Sequence, residues 1–346
     1  MIAEFAEARP GPRNLLTDVQ GMAVGQAHDD AARTGVTVIL PDERAVAAVD
    51  VRGGAPGTRE TDALDPDCLV EAVDAAVLAG GSVYGLDAAS SVTAELGAGG
   101  RGYRLAGSNV VAPVVPAAIL FDLTNGGAKD WGAHPPYAEL GRLALASAGR
   151  DFALGNEGAG RGACTGAYKG GLGSASFVTA HGFEIGALAA VNGFGSPVIP
   201  GTDRLWAWPY EQDGEFGGLG PPRRVTAPGF PEDTKLGTPG GARPGGNTTI
   251  GVIAVNAALT PSQARRLAVM AQDGFARALH PVHTPFDGDT IFVLATGAQA
   301  LPDPAPLAVT ALGALAADCM ARAVARGVYE AASDGGAPGY RSVFGV

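Results

Sequence analysis

The sequence predicts a layered α/β protein. Two observations carry that prediction. From residue 248 to the C-terminus, strand-like and helix-like patterns alternate as β–α–β–α. Across the 346 residues, hydrophobic residues reach 46% while charged residues are only 17%, so the chain buries enough apolar surface to offset its ordering entropy. Glycine (53) and proline (25) together exceed a fifth of the chain without any triplet period. That excludes collagen and describes short apolar segments joined by tight loops.

The elements follow in order. Residues 35–41 and 45–53 are β-branched runs split by a polar turn, which predicts a hairpin. Residues 67–79 place Leu69, Val73 and Val77 on one helical face and stop at Gly80-Gly81, which predicts a helix. A second helix is expected from Leu86 to Leu96, a buried strand over 113–122 and a helix from Tyr137 to Ala148. Residues 154–176 form a Gly-rich tract, and a strand follows at 184–192. Residues 211–247 crowd glycine and proline with little apolar content, which marks a functional loop or linker. Thr249 to Val255 is a strand. Thr260-Pro261-Ser262-Gln263 is a capping box with proline at the first helical position, opening a helix to about Leu279. Asp287-Gly288-Asp289 is a turn, Thr290 to Ala295 a strand, and Leu307 to Ala332 a long apolar helix.

Bulk chemistry removes several function classes. A net charge of −11 disfavours nucleic acid, whose phosphates require a basic face. The cations are almost all arginine; the three lysines are Lys129, Lys169 and Lys235. Cys68, Cys164 and Cys319 are too few and too far apart for a disulfide framework or a CxxC metal site. The N-terminus has acids and no apolar core, unlike a secretory signal, and the apolar stretch from Leu105 to Phe121 is broken by Pro113 and Pro116. A cytoplasmic protein without membrane attachment is expected. The Gly-rich tract lacks GxxxxGK[ST], no GxSxG, HExxH or EF-hand pattern occurs, and the five histidines lack zinc spacing, so no cofactor or metal is expected.

Asn247-Thr248-Thr249 lies where the Gly/Pro-rich stretch meets a strong strand. A threonine there can attack the carbonyl before it, move the acyl group to its own hydroxyl and, after ester hydrolysis, become a new N-terminus. Its α-amine, with an ordinary pKa of about 7.7–8.0, would then stand beside the hydroxyl it must activate. Such a residue is nucleophile and base at once.

These residues also carry a resemblance. Gly245 to Asn256, followed by Pro281-Val-His-Thr-Pro-Phe-Asp-Gly-Asp-Thr-Ile-Phe292, resembles the self-processing family of the L-aminopeptidase D-Ala-esterase/amidase. That family includes β-peptidyl aminopeptidases and the 6-aminohexanoate-oligomer (nylon) endo-hydrolase. Gly80 to Asp87, Val114 to Asp122 and the tract around Lys169 match as well, so the resemblance covers about residues 15–335 in order.

The resemblance implies a four-layer αββα sandwich, one domain cleaved between Asn247 and Thr248 into chains 1–247 and 248–346, with 211–247 as a mobile linker. It implies Thr248 as nucleophile and Asn192 as the oxyanion donor. Lys169 would lie near the nucleophile and hold its amine neutral by like charge. Asp287 and Asp289 match the paired acids of the nylon-oligomer branch and would pair with Lys169 and the Thr248 ammonium. Tyr84, Leu86 and Phe121 fall at the pocket; Phe121 stands where relatives place a tyrosine hydroxyl, and Tyr84 is the residue available to replace it. The substrate implied is a short linear amide: a 6-aminohexanoate oligomer, a peptide N-terminus, or a β- or D-amino-acid derivative. A homotetramer of processed units is implied too. Ornithine acetyltransferases share this fold and self-cleave at threonine, but their lysine–glycine motif and pre-threonine sequence are not seen here. A non-catalytic binding module is the remaining alternative.

Overall fold

The computed structural model describes Phe5 and residues 7–223, 230, 232–237 and 246–346. Among these, the strands are β1 (Met22–Asp29), β2 (Thr34–Pro41), β3 (Ala45–Val51), β4 (Thr58–Arg59), β5 (Ala72–Val73), β6 (Ala76–Ala79), β7 (Ala117–Ile119), β8 (Cys164–Thr165), β9 (Tyr168–Lys169), β10 (Leu172–Val178), β11 (Glu184–Asn192), β12 (Thr248–Ala257) and β13 (Thr290–Gln299). The long helices are α1 (Asp87–Ala98), α2 (Tyr137–Ala146), α3 (Pro261–Ala278) and α4 (Ala305–Glu330). One sheet has the order β1-β2-β6-β7-β4 and the other β10-β11-β12-β13-β3-β5.

Three buried clusters separate four layers. Val36, Val77, Val92 and Leu140 join the first sheet to α1 and α2. Val24, Ile39 and Leu78 of the first sheet meet Leu188, Ile250 and Phe292 of the second. Ile185, Ile253, Leu267, Phe275, Leu312 and Met320 join the second sheet to α3 and α4. This is the αββα sandwich expected. It explains why β12 reads as a nearly unbroken apolar run: Ile253 and Val255 face the helices while Ile250, Val252 and Ala254 face the other sheet. The capping box at Thr260 and Gln263 forms in both directions and starts α3. Among the described residues, α4 is long and apolar enough to cross a membrane, but it packs in the core. It lies directly on β10: a Cβ on Gly173 would sit 1.9 Å from the Ala323 carbonyl oxygen.

Three local expectations give way. β2 and β3 are strands but not a hairpin. β2 pairs with β1 and β6, whereas β3 crosses to the second sheet and pairs with β13 and β5. Residues 67–79 form no helix; Leu69 is 95% exposed, and Ala76–Ala79 is strand β6, paired on both sides by β2 and β7. A short apolar run fits either period, and the neighbouring strands decide it. The end of the Gly-rich tract, to which the sequence assigned no strand, is strand β10, and β8 and β9 make a small hairpin inside the tract.

The stretch 211–247 is not a free tether at its start. Glu215 accepts hydrogen bonds from Arg322 Nε at 2.5 Å and Asn14 Nδ2 at 2.6 Å, and Phe216 is buried. Residues 224–229, 231 and 238–245 of the expected linker lie outside the described residues.

Candidate active site

Strand β12 runs between antiparallel β11, which pairs with its first residue, and parallel β13, which pairs from Ile250 onward, while an isolated bridge ties Asn247 to Asp287. The register sets Asn192, the last residue of β11, opposite Thr248, the first of β12. Both are buried, as is Asn247. The Thr248 hydroxyl donates to the carbonyl oxygen of Asn247. The same oxygen accepts the Gly288 N–H at 3.0 Å. Only glycine fits at 288: a Cβ there would lie 2.7 Å from both Thr248 Oγ1 and the Ala55 carbonyl oxygen. The bond between Asn247 and Thr248 is therefore flanked by a hydroxyl at one side and a backbone donor on its carbonyl.

Asp287 and Asp289 converge on this point, but not as a pair for Lys169. Asp287 Oδ1 accepts the Phe194 N–H at 2.9 Å, and Oδ2 accepts Thr284 N–H at 3.0 Å and Thr284 Oγ1 at 2.6 Å. Asp289 Oδ1 accepts the Thr249 N–H at 2.8 Å, while Oδ2 lies 2.8 Å from His283 Nδ1 and accepts the His283 N–H at 3.1 Å. The two carboxylates thus brace the turn before β13 against the end of β11 and the start of β12. Burial, reinforced by the neighbouring Asp289 charge, holds the Asp287 carboxyl above the usual carboxylate range.

Lys169 is fully buried and turned away from this arrangement. Its ammonium donates to the carbonyls of Gly160 at 3.1 Å, Ala163 at 2.9 Å and Gly170 at 2.7 Å. Those three acceptors match its three donors, so it ties the Gly-rich tract to itself rather than reaching Thr248 or the aspartates. Burial pushes its pKa down.

The lysine that does reach the site is Lys235. Its Nζ donates to the Asn192 carbonyl oxygen at 3.0 Å and to Asn192 Oδ1 at 3.3 Å. Asn192 Oδ1 also accepts the Cys164 N–H at 2.9 Å, and Nδ2 donates to the Phe121 carbonyl oxygen at 3.0 Å. A cavity of about 680 Å³ is lined by Phe121, Cys164, Asn192, Lys235 and Asn247, and also by Asp122. Asp122 is buried and accepts Gly81 N–H at 2.8 Å and Thr34 Oγ1 at 2.6 Å; burial raises its pKa.

Phe121 thus belongs to the cavity wall, as expected. Tyr84 and Leu86 are not among the cavity's lining residues. Tyr84 is 47% exposed and meets the Trp131 ring edge-on at 6.0 Å, while Leu86 packs on the cluster beneath α1 and α2. The reading from sequence missed Lys235, Gly288 and the Cys164 N–H. Lys235 carried a signal, being one of three lysines and lying just ahead of Asn247. Gly288 carried one too, as a glycine between two acids. A backbone donor such as Cys164 N–H leaves no trace in residue type. Among the described residues, no group of three or more His, Cys, Asp or Glu is arranged to hold a metal.

Residues 14–341 match peptidase family S58. The chain is 48% identical to an uncharacterized aminopeptidase of Mycobacterium tuberculosis, over 96% of this chain and 98% of the relative. It is 31% identical to the 6-aminohexanoate-oligomer endohydrolase of a Kocuria species, over 91% of this chain and 86% of that protein. Its fold is similar to that of a Burkholderia beta-aminopeptidase, with TM-score 0.71 at 23% identity, covering 97% of this chain and 93% of the other. It is also similar to the L-aminopeptidase D-Ala-esterase/amidase of Ochrobactrum anthropi, a variant of the N-terminal-nucleophile hydrolase fold. There the TM-score is 0.66 at 22% identity, covering 95% and 90% of the two chains.

Proposed function

The chain belongs to peptidase family S58 and is a hydrolase of peptide bonds; from that premise we propose that it activates itself by cutting between Asn247 and Thr248 and then works through Thr248. One observation carries the reading. The Thr248 hydroxyl and the Gly288 N–H both meet the carbonyl oxygen of Asn247 in the intact chain.

In the self-cleavage, Thr248 Oγ adds to the Asn247 carbonyl carbon and its proton passes to the departing Thr248 nitrogen. The developing oxyanion is held by the Gly288 N–H, a fixed dipole that needs no reorganisation. The C–N bond breaks to leave an ester, and water hydrolyses it to an Asn247 carboxylate and a Thr248 with a free α-amine. The new chains 1–247 and 248–346 stay together because β12 remains laddered to β11, and β13 to β3, across the cut.

In turnover, the Thr248 α-amine takes the Oγ proton as Oγ attacks a substrate carbonyl. Asn192 Nδ2 lies one residue pair across the ladder and carries two hydrogens. One is used on Phe121; among the described residues no second acceptor takes the other, which suits an oxyanion. The leaving amine receives the proton, and water resolves the acyl-enzyme. Asp287 and Asp289 hold the strand ends in register for these steps.

For the substrate, the higher identity to an aminopeptidase than to the 6-aminohexanoate-oligomer endohydrolase favours the N-termini of short peptides. Denaturing electrophoresis tests the cleavage. Two bands, the smaller starting at Thr248 by Edman sequencing, are expected; a lasting single band at 34.5 kDa sinks the reading. A panel of aminoacyl p-nitroanilides, β-peptides, D-amino-acid amides and 6-aminohexanoate oligomers, read by mass spectrometry, tests the substrate. Turnover of the last alone overturns the peptide assignment.

A further inference from the structure

Lys235 stands in the segment ahead of the scissile bond, on a single 3-10 turn (Lys235–Gly237) pinned by its own N–H to the Phe194 carbonyl at 3.1 Å. Its side chain runs back to the residue opposite Thr248. It is bonded to both oxygens of Asn192 and lines the same cavity as Asn192 and Asn247.

An asparagine amide can be turned over by half a rotation, exchanging a donor for an acceptor. At Asn192, two donors, Lys235 Nζ and the Cys164 N–H, meet Oδ1, and one acceptor, the Phe121 carbonyl, meets Nδ2. Turned over, Nδ2 would face an ammonium and an N–H, and Oδ1 would face a carbonyl. Cys164 and Phe121 act through backbone atoms, so the ammonium is the one part of this lock supplied by a side chain. We propose that Lys235 is a positioning residue of the hydrolase, holding the Asn192 amide so that its free N–H faces the developing oxyanion.

The proposal rests on the reading of Asn192 as that donor. It adds a positive charge beside the amide, which strengthens the N–H as a donor. Lys235 is not one of the residues that the family resemblance singles out, and it remains in the larger chain after cleavage. Among the described residues, the charged or titratable groups facing it include Asp287, from the turn before β13, and Cys164, from β8. Burial pushes the ammonium down to about 8 against the pull of both.

Full-length wild type, Lys235→Met, Lys235→Arg and Asn192→Ala are compared with the aminoacyl p-nitroanilide that the panel selects, from pH 6 to 10. Processing is followed by electrophoresis and folding by thermal melting. Lys235→Met is expected to lose about 10²-fold in kcat, on the scale of one misdirected oxyanion donor, with KM within about threefold. Lys235→Arg is expected to recover at least a tenth of wild-type kcat. Its activity should persist to higher pH, because a guanidinium stays charged where the lysine loses its proton.

A Lys235→Met enzyme with kcat within threefold of wild type overturns the proposal. So does a Lys235→Arg alkaline limb superimposed on the wild type's, and that profile decides the matter if Lys235→Met does not fold. If Asn192→Ala keeps wild-type kcat, the reading of Asn192 falls and takes this proposal with it. If Asn192→Ala is impaired while Lys235→Met is not, only the role of Lys235 falls.

Discussion

The two lysines on either side of Asn192 in the sequence sit in opposite surroundings. Lys169 lies inside the Gly-rich tract, with all three donors spent on carbonyls of that tract. Lys235 lies ahead of the Asn247–Thr248 bond, with its ammonium on Asn192 and beside a cavity. Lys169 is fully buried and Lys235 only partly so, yet desolvation lowers the pKa of both, so titration does not tell them apart. What differs is the chemistry of their partners. A lysine closed onto backbone carbonyls stabilises a loop; on the proposed mechanism, a lysine bonded to the amide opposite Thr248 acts on chemistry.

On that contrast, changes around Thr248 are expected to remove activity and leave stability, whereas changes around Lys169 do the reverse. The largest effect belongs to Thr248→Ala. It should abolish the two-band pattern and lower hydrolysis by more than about 10⁴-fold, with a melting temperature within about 2 °C of wild type. A cleaved, active Thr248→Ala protein would move the nucleophile elsewhere, with Thr249 the first residue to examine. Asn192→Ala comes next, at roughly 10²–10³-fold in kcat, measured on protein shown by electrophoresis to be processed.

Lys169→Met reads the other region. It strands three buried carbonyls, which costs roughly 2–5 kcal/mol of stability by urea unfolding, while processed enzyme keeps kcat within about threefold. The pH dependence has a definite sign. Burial lowers the Lys169 pKa from 10.5, so between the lowered value and 10.5 the unfolded chain binds the proton and the folded chain does not. Wild type therefore gains on Lys169→Met as pH rises through that window, and urea midpoints at pH 7 and 10 check it. A large fall in kcat with unchanged stability would erase the contrast. Tyr84→Phe, outside the cavity, should change kcat/KM by less than about twofold; a tenfold loss would bring the exposed Tyr84–Trp131 pair into the site.

How much was legible follows the range of the interactions. Thr260 to Gln263 specified its own helix start, because a capping box is closed within four residues. Residues 184–192 and 249–255 read as strands because burial on both faces left their middles nearly unbroken apolar runs. The run from 67 to 79 misled, because its state depends on β2 and β7, whose residues lie far away in sequence. The same limit applied at the site. Asn192, Thr248, Asp287 and Asp289 were recognisable by type and motif, and the sheet register brings them together. The orientation of Lys169 was not.

The sequence by itself determined many of the periodic segments, the helix cap, the strong strand over Thr249 to Val255 and the unusual scarcity of charge. Those are written in residue type and spacing of a few positions. Only the tertiary structure decided which sheet received β3, where the acids sent their lone pairs, and which lysine met Asn192. Each of those choices is a contest among hydrogen-bond partners far apart along the chain. It is settled by which donors and acceptors are left unpaired once the layers close.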